Sequence, residues 1–108
     1  MSFEIMEELE NKVVDWAYDK GILNSQPPSK QRMLQQFSKT EEEVAELLDA
    51  ILAQDKEEAV DAIGDILVTL IVQTRLWNTN LYECRDEAYE VISKRTGRMV
   101  DGIFVKDK

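Results

Sequence analysis

Two acidic stretches carry the residues whose types and spacing suit metal chemistry. The first contains Glu42, Glu43 and Glu46, and the second contains Asp61 and Asp65. Both stretches have helical composition, and residues three or four apart lie on the same side of a helix. If the two helices face each other, their carboxylate oxygens are ligands that Mg²⁺ and Mn²⁺ prefer. The rest of the chain is then expected to bring these helices together.

Asp65 is the acidic residue that its surroundings single out. The helix predicted around it is apolar on two sides, formed by Val60, Ile63, Leu67, Leu70 and Ile71 and by Val68, Val72 and Leu76. Such a helix is normally central and buried. A buried carboxylate destabilises a protein unless it is paired, protonated or metal-bound. The adjacent Gly64 costs about 1 kcal/mol relative to Ala in a helix, which we interpret as room for another backbone or a ligand.

A simpler interpretation exists for each half of this set. Glu42, Glu43 and Glu46 lie opposite the apolar stripe of their own helix, so a solvated acidic face explains them when they are taken alone. For Asp65 alone, a structural salt bridge explains the residue as well as a functional role does. Taken together, four or five converging carboxylates would repel one another strongly without cations. The combined pattern therefore favours a divalent metal site.

Composition restricts the classes of function. The 108 residues predict a single domain, and the net charge of −9 argues against a nucleic-acid partner. Histidine is absent and Cys84 is the single cysteine, which excludes a serine-protease triad, an internal disulfide and a cysteine-based metal motif. Neither a signal peptide nor a membrane-spanning apolar run is recognisable. We expect a cytoplasmic protein with no membrane partner.

Hydrophobic periodicity and capping signals predict an all-α, four-helix bundle with a short extended tail. The helices are expected from a Ser2 cap to about Lys20 (with Gly21 as its stop), from Lys30 to Ala53, from Lys56 to about Asn78, and from an Asn80 cap to about Thr96 (with Gly97 as its stop). Asp101-Gly102 is the turn expected in the tail. The side chains predicted to be buried include Phe37 and one face of the fourth helix (Leu81, Cys84, Ala88, Val91 and Ile92). The apolar excess of the third helix predicts a homodimer or a homotetramer.

The motif Lys39-x-x-Glu42-Glu43-x-x-Glu46-Leu47, followed by Asp65-Ile66-Leu67, resembles the all-α nucleoside triphosphate pyrophosphohydrolases of the MazG kind. The family pattern is Glu-Glu-x-x-Glu on one helix and Glu-x-x-Asp on the next. The tail from Arg95 to Lys106 is similar to that of small phage-type members. One position departs from the pattern: Ala62 stands where the family has the second motif's glutamate, and Asp61 is the neighbouring carboxylate that is available instead.

The resemblance implies Mg²⁺-dependent hydrolysis of a nucleoside triphosphate to the monophosphate and pyrophosphate, in nucleotide-pool control or house-cleaning. It implies Glu43, Glu46, Asp61 and Asp65 as metal ligands, with Mn²⁺ as a possible substitute for Mg²⁺. Glu42 and Glu43 are the catalytic candidates, Glu42 as a further ligand or as the base for water. The substrate-binding candidates are Gln36, Lys39, Lys94, Arg95, Arg98 and Trp16. A phage-encoded member would act in the host cytoplasm.

Several of the substrate-binding candidates also have structural interpretations. Charge balance alone explains Lys39, and Lys94, Arg95 and Arg98 suit a helix C-terminus without any ligand. A core tryptophan explains Trp16 better than base stacking does. Two rival functions also remain: a phosphoribosyl-ATP pyrophosphohydrolase, whose helical acidic motif is similar, and a dimeric helical interaction module without catalysis.

Overall fold

The computed structural model describes residues 3–108, with side chains from residue 6 onward. Its elements are α1 (Phe3–Asp19), α2 (Lys30–Ala53), α3 (Lys56–Leu76), α4 (Leu81–Ile92), β1 (Gly97–Val100) and β2 (Ile103–Lys106). This confirms the all-α class. The predicted Ser2 cap lies outside the described residues. None of the described helices combines the length and the apolar character needed to cross a membrane.

Side-chain caps define where three of the helices begin. Ser29 Oγ accepts from the Arg32 amide at 3.2 Å, Asp55 Oδ1 from the Glu58 amide at 3.1 Å, and Asn80 Oδ1 from the Glu83 amide at 2.9 Å. Each cap satisfies a backbone donor that the first helical turn leaves free. The predicted starts of α2, α3 and α4 are therefore confirmed.

The end of α4 was predicted too late. The helix ends at Ile92, and Gly97 begins β1 instead of stopping a helix. A Cβ atom on Gly97 would lie 2.3 Å from the Val105 carbonyl oxygen and 2.6 Å from Phe104 Cζ. Gly97 is therefore needed because the other strand approaches its backbone closely. The hairpin turn at Asp101-Gly102 was predicted correctly, and both residues have positive φ angles (49° and 80°).

Hydrogen bonds to backbone and hydroxyl groups fix the pairing of α2 with α3. Gln36 Nε2 donates to the Thr69 carbonyl oxygen at 3.0 Å, and the Thr40 hydroxyl donates to the Thr69 hydroxyl at 2.9 Å. Near the other end of the pair, Gln73 Nε2 donates to the Met33 carbonyl oxygen at 3.1 Å. Because these bonds are directional, they set the register of the two helices.

Glu10 joins three helices through one buried carboxylate. Its Oε1 atom accepts from the Leu81 amide at 2.9 Å and from the Arg75 guanidinium at 3.3 Å, and the side chain is 4% exposed. The carboxylate thus satisfies a backbone donor in the first turn of α4 and pairs with a cation on α3. A buried acid with two such partners attaches α1 and α4 to the central helix.

The buried core is small, and much of the apolar surface remains exposed. The core consists of Ala17, Leu23, Val72 and Leu76, with Val14 and Met33 packed against it. Phe37, predicted to be core, is 53% exposed. The predicted buried face of α4 is wrong as well: Cys84, Ala88, Val91 and Ile92 are exposed, and Leu81 is half-buried. The reason is that no element of the described chain covers these side chains.

Gly64 provides a prediction that can be compared with Gly97. A Cβ atom at Gly64 would meet nothing within 4 Å in the described chain, so no described backbone approaches it closely, and approach by a ligand stays a prediction. We expect Gly64→Ala to raise the free energy of unfolding by about 0.5–1 kcal/mol, because alanine has less backbone freedom to lose in a helix. Gly97→Ala should instead disrupt the hairpin. Urea unfolding measures the first effect, and hydrogen exchange at residues 97–106 measures the second. A destabilised Gly64→Ala protein would contradict the open surroundings.

Candidate metal and nucleotide site

Three carboxylates converge where α2 faces α3. Each of Glu43, Glu46 and Asp65 offers an oxygen within 4.8 Å of the others, and we call them the carboxylate triad. Glu43 and Glu46 lie one turn apart on α2. The hydrogen bonds of Gln36 and Thr40 to Thr69, one turn beyond Asp65, hold the third carboxylate opposite them. Glu43 and Asp65 are half-buried, whereas Glu46 is exposed.

Glu43 carries the electrostatic cost of this arrangement. A hydrogen bond with Glu46 raises the pKa of Glu43, and burial and the charges of Glu46, Asp65 and Glu42 raise it further. Its Oε2 atom is buried and has no hydrogen-bond partner in the described chain. An unsatisfied buried oxygen among like charges is stabilised by protonation or by a cation.

The triad fits a hard divalent cation by the chemistry of its donors. Mg²⁺ and Mn²⁺ prefer carboxylate oxygens and are commonly held by only a few of them, with water or substrate oxygens completing the shell. Three carboxylate oxygens in reach of one another, one of them lacking any other partner, meet this requirement. Glu43, Glu46 and Asp65 are therefore the residues that would hold the metal.

Glu42 and Asp61 lie outside the triad. The Glu42 carboxylate pairs with Lys39 Nζ at 3.1 Å on the exposed side of α2. Asp61 is exposed and lines a neighbouring cleft together with Glu46 and Ala62. Ala62 is only 2% exposed, so its methyl group is packed where the resembling family has a carboxylate. Asp61 therefore shares a surface with one member of the triad without joining the group of three.

A cleft of about 390 Å³ opens beside the triad, and we call it the tryptophan cleft. Its walls are Trp16, Ile22, Gln36, Lys39, Glu43, Asp65, Val68, Thr69 and Val72. The substrate-binding candidates Trp16, Gln36 and Lys39 thus share this cleft with two acids of the triad. Trp16 is 46% exposed, which corrects its preferred interpretation as a core residue. Because Gln36 Nε2 donates to the Thr69 carbonyl, its Oε1 atom remains an acceptor.

Lys12 is a cation that sequence reasoning overlooked. It lines a second cleft with Leu9, Val13, Trp16, Asp65 and Val68, so Asp65 borders both clefts. The nearest acid to its ammonium group is Glu8, at 3.8 Å, a long separation for an ion pair. The spacing in the sequence could have indicated that Lys12 lies near the site, because Lys12 precedes the candidate Trp16 by four residues and so lies on the same side of α1.

The basic cluster of the tail is absent from the walls of the clefts described beside the triad. Lys94 pairs with Glu90 at 2.8 Å, and Arg95 and Arg98 lie beyond the end of α4. None of the three lines the clefts found beside the triad in the described part of the chain.

The raised pKa of Glu43 predicts how stability depends on pH. Protonated Glu43 is favoured in the folded state, so its stabilising effect is present at low pH and is lost as pH rises from the ordinary value of 4.5 through the raised one. Without divalent metal, the melting temperature of the wild type should therefore fall relative to that of Glu43→Gln over this range. Adding Mg²⁺ should reduce the difference. Thermal melts in EDTA test this, and parallel curves would contradict it.

Comparison with known proteins supports an enzymatic interpretation. The family model described as phosphoribosyl-ATP pyrophosphohydrolase matches residues 4–92, which contain the whole triad and end where α4 ends. No curated protein and no solved structure matches the chain. The family is part of the MazG-like all-α superfamily. The resemblance to MazG-like pyrophosphohydrolases is therefore correct at the level of the superfamily. The phosphoribosyl-ATP pyrophosphohydrolases, named above as a rival function, are the family that matches. Since the match spans most of the chain, this protein belongs to the phosphoribosyl-ATP pyrophosphohydrolase family, whose activity is the release of pyrophosphate from a nucleotide.

Proposed function

We propose that the protein hydrolyses a nucleoside triphosphate between the α- and β-phosphates, in a reaction that depends on Mg²⁺. The observation that carries this proposal is the convergence of Glu43, Glu46 and Asp65 at the edge of a cleft that also contains Trp16 and Lys39. A triphosphate has a charge of about −4 near neutral pH, so three carboxylates would repel it in the absence of cations. An acidic site beside a half-apolar cleft therefore suits a metal–nucleotide complex better than a free anion.

Each wall of the site has a role in this proposal. Glu43, Glu46 and Asp65 hold the metal, which when bound neutralises phosphate charge and activates water. Trp16 provides an aromatic face for the base, and the Gln36 Oε1 atom accepts a hydrogen bond from it. Lys39 and Lys12 approach the phosphates from α2 and α1. Glu42, beside Lys39, accepts the proton of the attacking water.

Phosphoribosyl-ATP is the second candidate substrate, and the family match is the observation that favours it. Both candidates contain a triphosphate attached to a nucleoside and would be cut at the same bond. We place simple nucleoside triphosphates first because the acidic motifs and the tail resemble those of small phage-type MazG-like proteins, which act in nucleotide-pool control or house-cleaning.

The active form is proposed to be a homodimer, or a homotetramer made from two such dimers. The α2–α3 pair exposes nine large apolar side chains: Leu34, Phe37, Val44, Leu48, Ile51, Val60, Ile63, Leu67 and Leu70. These residues are 41–61% exposed, and they belong to the two longest helices. An apolar surface of this extent is typical of an interface. A second copy would complete a four-helix core, which the present chain forms only in part.

A panel of nucleotides tests the activity. With Mg²⁺, the wild type should release pyrophosphate, and not orthophosphate, from at least one nucleoside triphosphate or from phosphoribosyl-ATP. Asp65→Asn should reduce this release by roughly 100-fold or more, because it removes a charged metal ligand. The same substitution should raise the melting temperature in EDTA, since one of three repelling charges is lost. Glu41→Gln on the exposed side of α2 is the control. Full activity of Asp65→Asn would refute the metal site, and no release from any substrate would refute the function.

Lys12 gives a test of the second cleft. If its ammonium group contacts the phosphates equally in the ground and transition states, Lys12→Ala should raise KM roughly five-fold and leave kcat nearly unchanged. Lys20→Ala removes the same charge from the residue that follows α1 and should leave both constants unchanged. Steady-state kinetics on the preferred substrate measures the effect. Equal effects of the two substitutions would show that Lys12 acts through general charge alone.

A further inference from the structure

The C-terminal hairpin is the part of the fold with the least support from its own chain. All eight residues of β1 and β2 are exposed, and within the described residues the strands pair only with each other. Five of the eight are large apolar side chains: Met99, Val100, Ile103, Phe104 and Val105. A two-stranded hairpin alone is marginally stable in water. We therefore expect another surface to cover it.

The register of the hairpin sorts its side chains into two faces. Arg98 is opposite Val105 and Val100 is opposite Ile103, so these four share one face. The other face contains Met99 opposite Phe104 and Gly97 opposite Lys106. The first face thus has three β-branched side chains and a guanidinium at the end nearest α4, which suits a surface that is both apolar and acidic.

Charge is divided unequally along the chain. Residues 94–108 contain five Lys and Arg against two acids, whereas residues 1–93 contain eight against twenty. Arg95, Arg98 and Lys106 form no ion pair within the described part of the chain. The tail is therefore a cationic segment attached to a strongly anionic body, and two copies complement each other if each tail meets the other body.

The corner between α2 and α3 has the matching properties. Five acids there line a cleft of about 500 Å³, and we call them the acidic corner: Glu46, Asp49, Asp55, Glu58 and Asp61. None of the five forms an ion pair with a described side chain. Leu48, Ile51 and Leu52 are exposed on the same stretch of α2. Apolar and acidic groups are thus both available to the hairpin.

We propose that the C-terminal hairpin of one copy docks at the acidic corner of a second copy, and that two-fold symmetry makes the exchange reciprocal. The proposal rests on the proposed function, because Glu46 belongs both to the acidic corner and to the carboxylate triad. Arg95 and Arg98 of one chain then lie beside the metal site of the other and contact the phosphates of its substrate. The hairpin lies outside the matched range of residues 4–92, so the family match does not supply this arrangement.

Charge reversal tests the docking without measuring activity. Arg95→Glu/Arg98→Glu should weaken association at least about ten-fold in sedimentation velocity, because like charges would then meet across the interface. Combining this variant with Asp49→Lys/Glu58→Lys in the same chain should restore association. Lys20→Glu/Lys30→Glu makes the same change in net charge elsewhere and should associate like the wild type. Unchanged association of the first variant, no restoration by the second pair, or a monomeric wild type would overturn the docking.

Subunit complementation tests the shared site. One copy carries Asp65→Asn with a normal tail, and the other carries Arg95→Gln/Arg98→Gln with a normal triad. Each homodimer should be inactive or weakly active. The heterodimer, isolated with two different affinity tags, should have about half of the wild-type activity, because one of its two sites combines an intact triad with an intact tail. Circular dichroism checks that both variants remain folded.

The remaining outcomes separate the two proposals. If the wild type is active but the heterodimer is as inactive as its parents, the cations do not act across the interface and the inference fails while the function stands. Full activity of the Arg95→Gln/Arg98→Gln homodimer overturns it in the same way. If the wild type releases no pyrophosphate from any substrate, the proposed function fails, and the charge-reversal experiment still decides the docking.

Discussion

The mutual repulsion of Glu43, Glu46 and Asp65 is the constraint on which the rest of the structure depends. Three carboxylates within 4.8 Å of one another oppose folding unless other interactions hold their helices together. The hydrogen bonds of Gln36 and Thr40 to Thr69 provide this, because they join α2 and α3 one turn away from Asp65. A hydrogen bond with Glu46, burial and this repulsion together raise the pKa of Glu43, and a bound cation would relieve the repulsion. Under the proposed function, stability given up at one point becomes affinity for metal, as is common at functional sites.

The distribution of apolar residues explains why one chain does not complete the fold. Only a small set of side chains around Ala17 and Val72 is buried, while the apolar faces of α2 and α3 are left to solvent. The buried Glu10 carboxylate attaches α1 and α4 to α3. A chain of this length has too few layers to cover both sides of a central helix pair. The proposed association of copies supplies the missing layer.

Local signals in the sequence were sufficient for much of the fold. Ser29, Asp55 and Asn80 marked the starts of α2, α3 and α4 correctly, because a capping side chain acts on amides only two or three residues away. The spacing of Glu43 and Glu46 placed them on one side of α2, and Asp101-Gly102 marked the hairpin turn. The end of α4 was missed because the requirement for Gly97 comes from close approach of Phe104 and Val105, not from the helix that precedes it.

By itself, then, the sequence determined the helices, their caps and which acids share a helix face, because these depend on neighbours within about one turn. Only the tertiary structure decided which acids meet. It brought Glu43 and Glu46 to Asp65 and placed Asp61 in the adjoining cleft. It also turned Trp16 and Lys12 of α1 toward Asp65 and left Phe37 exposed, although the apolar pattern of α2 predicted a buried ring. The physical reason is that periodicity identifies an apolar face but not what covers it, since that depends on the packing of helices that are distant in sequence.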